Sequence, residues 1–197
     1  MKSHTFAVVC AFVLFLAFSG SINCISQSDS DIVNFMMDAQ RGNAEAQMML
    51  GEAYLLGRGI QQNNNEAMKW FRKAAEQGNL EAQHNLGMMY DYGMGVPRDY
   101  VQALKWYRKA ADRGFPASQN NLGAMYILGN GVLHDYIEGT KWIRKAADQG
   151  YADAQAALGA SYFTGNGVSQ DYGEAVQWYR RAADQGNADA QVSLGYC

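Results

Sequence analysis

Leu50-Gly51, Leu86-Gly87, Leu122-Gly123, Leu158-Gly159 and Leu194-Gly195 return every 36 residues. Tyr54, Tyr90, Tyr126 and Tyr162 keep the same step, as do Trp70, Trp106, Trp142 and Trp178. A period of this length marks a stacked solenoid, in which each supersecondary unit buries its apolar face only against its neighbours. Such stacks offer long surfaces to partners and rarely carry chemistry of their own.

One unit, residues 43–78, reads as two antiparallel helices. Helix A is expected from Ala44 to Leu56, with Asn43 as N-cap and Glu45 complementing the positive end of the dipole. Ala46, Leu50, Gly51 and Tyr54 fall on one face of it. Gly51 costs about 1 kcal/mol against Ala in a helix interior. Its return in every unit implies close approach of a neighbouring helix. Gly57-Arg58-Gly59-Ile60 and its three later equivalents form the loop, whose glycines suit a helix C-terminus at positive φ.

Asn63, Asp99, Asp135 and Asp171 then stand three residues before Glu66, Gln102, Glu138 and Glu174, the spacing of a capping box at the start of helix B. Ala67, Trp70, Phe71, Ala74 and Ala75 make its apolar stripe. The units are therefore 43–78, 79–114, 115–150 and 151–186. Residues 31–42 align with a helix B and form an N-terminal capping half-repeat, and residues 187–197 begin a partial fifth repeat.

The N-terminus is a different material. Lys2 precedes an apolar run from Phe6 to Phe18, then Ser19, Gly20 and Ser21, which reads as a signal peptide over residues 1–21. The run is short of the ~20 residues that a membrane span needs. Residues 22–30 are a polar linker. Ser21-Ile22-Asn23 lacks the Leu-small-small pattern that precedes a lipid-modified cysteine, which argues against an anchor at Cys24. The expected location is secreted, periplasmic or otherwise extracytoplasmic, or the endoplasmic-reticulum lumen in a eukaryote. A net charge of −3 offers no basic stripe for nucleic acid.

The string Ala-Gln-x-x-Leu-Gly-x-x-Tyr-x-x-Gly-x-Gly-Val, followed by Asp-Tyr-x-x-Ala-x-x-Trp-Tyr-Arg-Lys-Ala-Ala-Asp-x-Gly, is clearest at 82–114 and closely resembles the Sel-one-like repeat (SLR). That family is a longer relative of the tetratricopeptide repeat, and the resemblance covers residues 43–186. It implies an all-α fold, a right-handed α-solenoid of stacked antiparallel helix pairs, and a scaffold or adaptor role. Bacterial extracytoplasmic members include factors acting on host cells, and eukaryotic ones include endoplasmic-reticulum adaptors. The first unit departs from the pattern with Asn63-Asn64 for Asp-Tyr, the third with Gly139 for Ala and Ile143 for the aromatic. One branch of the family carries paired cysteines in each repeat and is linked to β-lactams. No repeat here has that pair.

Nothing in the chain points to catalysis, a cofactor or a metal. The Gly-x-Gly loops follow no strand and lack the third glycine of a dinucleotide fingerprint. His84 and His134 have no metal-ligand spacing to each other or to cysteine. The pairs Arg72-Lys73, Arg108-Lys109, Arg144-Lys145 and Arg180-Arg181 read as a solvated face partnered by Glu76, Asp112, Asp148 and Asp184 one turn on. An anionic docking stripe is the alternative. Gln47, Gln83, Gln119, Gln155 and Gln191 are expected to bond backbone at unit junctions.

More informative are helix-A positions that vary over an unvarying core. Met48, Glu52, Leu55 and Leu56 correspond to His84, Met88, Asp91 and Tyr92, then to Asn120, Ala124, Ile127 and Leu128, then to Ala156, Ala160, Phe163 and Thr164. In tetratricopeptide-like stacks, which this chain resembles, that face lines the concave groove. The candidate partner-binding residues are thus Met48, Glu52, Leu55, His84, Met88, Asp91, Tyr92, Asn120, Ile127, Leu128 and Phe163, their large apolar members having burial between helices as the alternative. The expected function is an exported protein–protein interaction scaffold, not an enzyme, holding a protein or peptide in that groove. An envelope-associated enzyme or glycan-binding protein using the same groove is the alternative. The mature chain should begin between Gly20 and Ile25, and N-terminal sequencing of the exported protein checks this; an intact Met1 would refute it.

Overall fold

The computed structural model describes residue 34 and residues 36–195. The signal peptide, the linker and all three cysteines lie outside the described residues. Within them the chain is an α-solenoid of consecutive helix pairs. Helices α1 (Ala44–Leu56) and α2 (Asn64–Glu76) form the first unit, α3 (Leu80–Tyr92) and α4 (Tyr100–Ala111) the second. The third is α5 (Pro116–Leu128) and α6 (Tyr136–Asp148), the fourth α7 (Ala152–Thr164) and α8 (Tyr172–Asp184), and α9 (Ala188–Leu194) follows. Each helix packs on the one before and the one after, and α5 also touches α7. A helical segment, residues 36–40, precedes α1.

Caps set the helix boundaries. Asn43 accepts from the Ala46 N–H at 2.8 Å, and Asn79 and Asn187 repeat the contact. Phe115 and Tyr151 make no such bond at the starts of α5 and α7, although Pro116 presets the first turn of α5. Helix A of each of the four full units ends on a glycine in the left-handed region, with φ of 69–76° at Gly57, Gly93, Gly129 and Gly165.

The expected capping box of helix B is only half formed. Asp99, Asp135 and Asp171 accept from the N–H three residues on, and Asn63 does the same. The returning bond is absent, because the N-cap N–H groups donate to the carbonyls of Tyr54, Tyr90, Tyr126 and Tyr162 at 2.9–3.0 Å. That donor closes the turn between the two helices instead. Glu138 is thereby freed to accept from Trp142 Nε1, and Glu66 to pair with Lys69.

The repeating helix-A glycine has the expected cause. A Cβ on Gly51 would lie 2.6 Å from the Phe71 ring, on Gly87 2.5 Å from Tyr107 and on Gly159 2.8 Å from Tyr179. Phe71 and Tyr107 are fully buried as a result. The third unit solves the same crossing differently. Ile143 replaces the aromatic and Gly139 faces Gly123, so that Cβ atoms on either would strike the other's carbonyl or an isoleucine, Ile127 or Ile143. The two departures from the pattern are one coupled repacking.

Unit junctions are held by the glutamines, as expected. Gln83 donates to the Ala75 carbonyl at 3.0 Å, and Gln47, Gln119, Gln155 and Gln191 make the equivalent bond. Gln77, Gln149 and Gln185 then donate to Gln47, Gln119 and Gln155. In the second unit Arg113 occupies that donor position and turns to the Gly78 carbonyl, leaving the buried Gln83 Oε1 without a partner.

The basic pairs do not bridge to Glu76, Asp112, Asp148 or Asp184. Ion pairs among the described residues are Arg41–Asp38, Lys69–Glu66 and Lys141–Glu138. The first member of three of the pairs leans toward the next unit, where Arg72, Arg108 and Arg144 donate to the hydroxyls of Tyr90, Tyr126 and Tyr162. The second lies over the indole one turn back, as with Lys73 4.0 Å from the Trp70 ring centre and Lys145 3.7 Å from that of Trp142. The basic ladder is a structural seam between units.

Two substitutions test this packing by urea melts. Gly87→Ala should cost about 1–3 kcal/mol through overpacking against Tyr107. Arg113→Gln should raise stability by about 1 kcal/mol, because it returns a donor to Gln83.

Candidate partner-binding face

The varying helix-A positions form a gradient from core to solvent. Met48 is 4% exposed and belongs to the core cluster of Met68 and Phe71. Leu55 packs half-buried against the same cluster, Met88 against the one around Tyr107 and Leu122, and Ile127 against the one around Ile143. Those four side chains hold the units together and offer little free surface. Tyr92, Leu128 and Phe163 are open, at 63%, 67% and 37% exposure.

His84, Asp91 and Glu52 are half-buried polar members. His84 Nδ1 lies 3.0 Å from Ser118 Oγ on the next helix A, and its ring sits between Tyr107 and Phe115. Burial lowers its pKa to about 4, so the ring is neutral at physiological pH. Asp91 accepts a long bond from the Tyr107 hydroxyl at 3.4 Å, and burial raises its pKa, outweighing the effect of Tyr107 and of Arg98. Glu52 is raised by burial first and then by the charge of Glu81, with Arg58 opposing and Glu45 adding. Asn120 is half-buried on α5.

The structure adds residues that the helix-A periodicity did not single out. Val101 and Ile137, in the first turns of α4 and α6, are 62% and 60% exposed, and the loop residue Leu133 is 89% exposed. Tyr172 meets Phe163 edge-on with ring centres 5.3 Å apart. Helix A ends and helix B begins at the same edge of the stack. Tyr92, Leu128 and Phe163 therefore share an apolar margin with these residues. Their signal was available in the apolar residue after Asp-Tyr in the second and third units. Among the described residues no group of His, Cys, Asp and Glu is placed to hold a metal, and no helix is long and apolar enough to cross a membrane.

Protonation of His84 should weaken the fold. Its folded pKa lies below the unfolded value of about 6.5, so its contribution is whole above that value and is lost as pH falls toward 4. The raised carboxyls of Asp91 and Glu52 act with the opposite sign, favouring the fold as they protonate. Urea midpoints at pH 7.5 and pH 5 should therefore fall less for His84→Phe than for the unaltered protein.

The Sel1 repeat model matches residues 44–79, 80–115, 116–151 and 152–187, each span starting one residue after the units defined above. Among solved structures, c5321, described as a protective antigen present in uropathogenic Escherichia coli strains and displaying an SLR fold, is 47% identical with a TM-score of 0.80. The match covers 84% of this chain and 35% of that one, so this chain spans about a third of its length. A Sel1 repeat protein from Oxalobacter formigenes is 37% identical, TM-score 0.81, over 87% of this chain and 68% of that one. The immunity protein PA5088 from Pseudomonas aeruginosa is 25% identical, TM-score 0.58, over 92% and 66%. No curated protein sequence matches. With four matched repeats spanning most of its length, the chain belongs to the Sel1 repeat family, whose members are generally protein-interaction scaffolds.

Proposed function

We propose that this protein is an exported adaptor that binds a protein or peptide along its A helices and their loop edge. The observation that carries the reading is the contrast within one helix face. Leu50, Leu86, Leu122 and Leu158 are invariant and fully buried, while the neighbouring positions vary between units and include the exposed Tyr92, Leu128 and Phe163. Large exposed apolar side chains grouped on one edge mark an interaction surface more often than a solvent boundary. A core that stays constant under a face that changes fits a scaffold whose units each make a different contact. Export rests on the N-terminal Lys2 and the apolar run after it, and the description of c5321 as a protective antigen agrees with it.

The test is capture from an extract of the native envelope on immobilised protein. Replacing Tyr92, Leu128 and Phe163 together with Ser should abolish retention of the captured protein, since losing anchors of this kind costs about 2 kcal/mol or more. Lys105→Gln, on the exposed side of α4, should leave it unchanged. Circular dichroism should show both variants folded. Undiminished capture by the triple variant would overturn the site, and retention of polysaccharide in place of protein would favour a glycan-binding role.

A further inference from the structure

Within the helices of the solenoid, Lys and Arg are strictly partitioned, while Arg58, Arg98 and Arg113 lie between helices. None lies in α1, α3, α5, α7 or α9, whereas α2, α4, α6 and α8 each carry several. The A helices carry Glu45, Glu52, Glu81, Asp91, Asp153 and Asp189 instead. Burial makes ionisation of Glu52 harder, the neighbouring carboxylates Glu81 and Glu45 add to it, and the loop residue Arg58 opposes it. A partner lying along the A helices meets negative charge and no competing cation from those helices.

One place on that face is open. At the two positions nearest the next helix A, the first unit has Met48 and Glu52, the second His84 and Met88, the third Asn120 and Ala124. His84 crosses to Ser118 on the following helix and closes the space. The fourth unit has Ala156 and Ala160 there, and a cleft of about 300 Å³ remains between α7 and α9. Alanines 156, 157 and 160 form an apolar wall, and Asp153, Asp189 and Asn187 line the polar side. Asn187 donates to Asp153 Oδ1 at 2.8 Å, which fixes that carboxylate, and no Lys, Arg or His lines the cleft.

We infer that this cleft receives an arginine or lysine side chain of a basic peptide lying along the A helices. The inference rests on the adaptor reading and names the chemistry of its partner. A long aliphatic stem lies well against alanine methyls, while its cationic head requires carboxylates at the end of the slot. A neutral apolar side chain would leave Asp153 and Asp189 facing it without reward, and an acidic one would be repelled.

The probe is a fluorescein-labelled pentapeptide, Gly-Ser-Arg-Ser-Gly, titrated into the mature protein by fluorescence anisotropy, beside the same peptide with norleucine for arginine. The arginine peptide should bind at least about tenfold more tightly, as expected when charge-assisted hydrogen bonds are gained, and added salt should weaken it. Ala156→Met with Ala160→Met, which restores the bulk other units carry, should remove that advantage. Asp153→Asn with Asp189→Asn should remove it without filling the cleft, and Asn at 153 can still accept from Asn187. Urea midpoints matching the unaltered protein establish that both variants are folded. No binding of the arginine peptide, equal binding of the norleucine peptide, or an advantage that survives both variants would overturn the inference. The adaptor reading fails separately, through undiminished capture by the Tyr92, Leu128 and Phe163 variant, so the two failures are distinguishable.

Discussion

The distance between the two helices of a unit is fixed by an absent methyl group. Gly51, Gly87 and Gly159 let the ring of Phe71, Tyr107 or Tyr179 lie directly on the helix backbone, inside the space a Cβ would need. The rest of the unit follows from that contact. The ring fills the centre of the pair, alanines such as Ala67, Ala74, Ala103 and Ala110 close round it without adding bulk, and the next unit seats on the smooth surface left behind. A glycine in mid-helix weakens the isolated helix, and the buried aromatic contact offsets the loss. The third unit reaches a close crossing with other residues: Gly123 and Gly139 bring the backbones together while Ile127 and Ile143 supply the volume.

Between units the bonding is polar and directional. Each junction glutamine spans from one helix A to the carbonyl of the preceding helix B, and most receive a second bond from the end of their own helix B. On the opposite side, arginine reaches forward to a tyrosine hydroxyl of the next unit. Apolar contact alone would let neighbouring units slide. Two rows of bonds with fixed lengths specify how far each unit turns relative to the last, and so determine the curvature of the face a partner meets.

The regular parts of this architecture were legible from the chain because periodicity reports which residues face the same way. The bounds of α1, the role of the helix-A glycine and the glutamine junctions could all be read in this manner. Depth could not. Met48 and Tyr92 lie on the same varying face, yet one is sealed in the core and the other stands in solvent, because exposure depends on neighbours two helices away. The partners of the basic pairs were misjudged for a similar reason. Spacing along one helix suggested Glu76 and its equivalents, whereas the actual partners are a tyrosine 18 residues on and an indole on the inner side. The half-formed capping box failed where a carbonyl of the preceding helix competed for the same N–H.

The second glycine of each loop does more than turn the chain. A Cβ on Gly131 would lie 2.7 Å from the Tyr100 carbonyl, and Gly95 and Gly167 abut Asn64 and Tyr136 in the same manner, so each of these three loops rests on the start of the helix B one unit earlier. These loops therefore belong to two units at once, as the interlocking edge of one roof tile belongs also to the tile beneath. Lengthening a loop by a residue or two would lift that edge and open the seam. Duplicating or deleting a whole period keeps every overlap intact. The architecture thus tolerates change in its count of units far better than change in their length, and proteins of this design can grow or shorten their binding surface in whole steps.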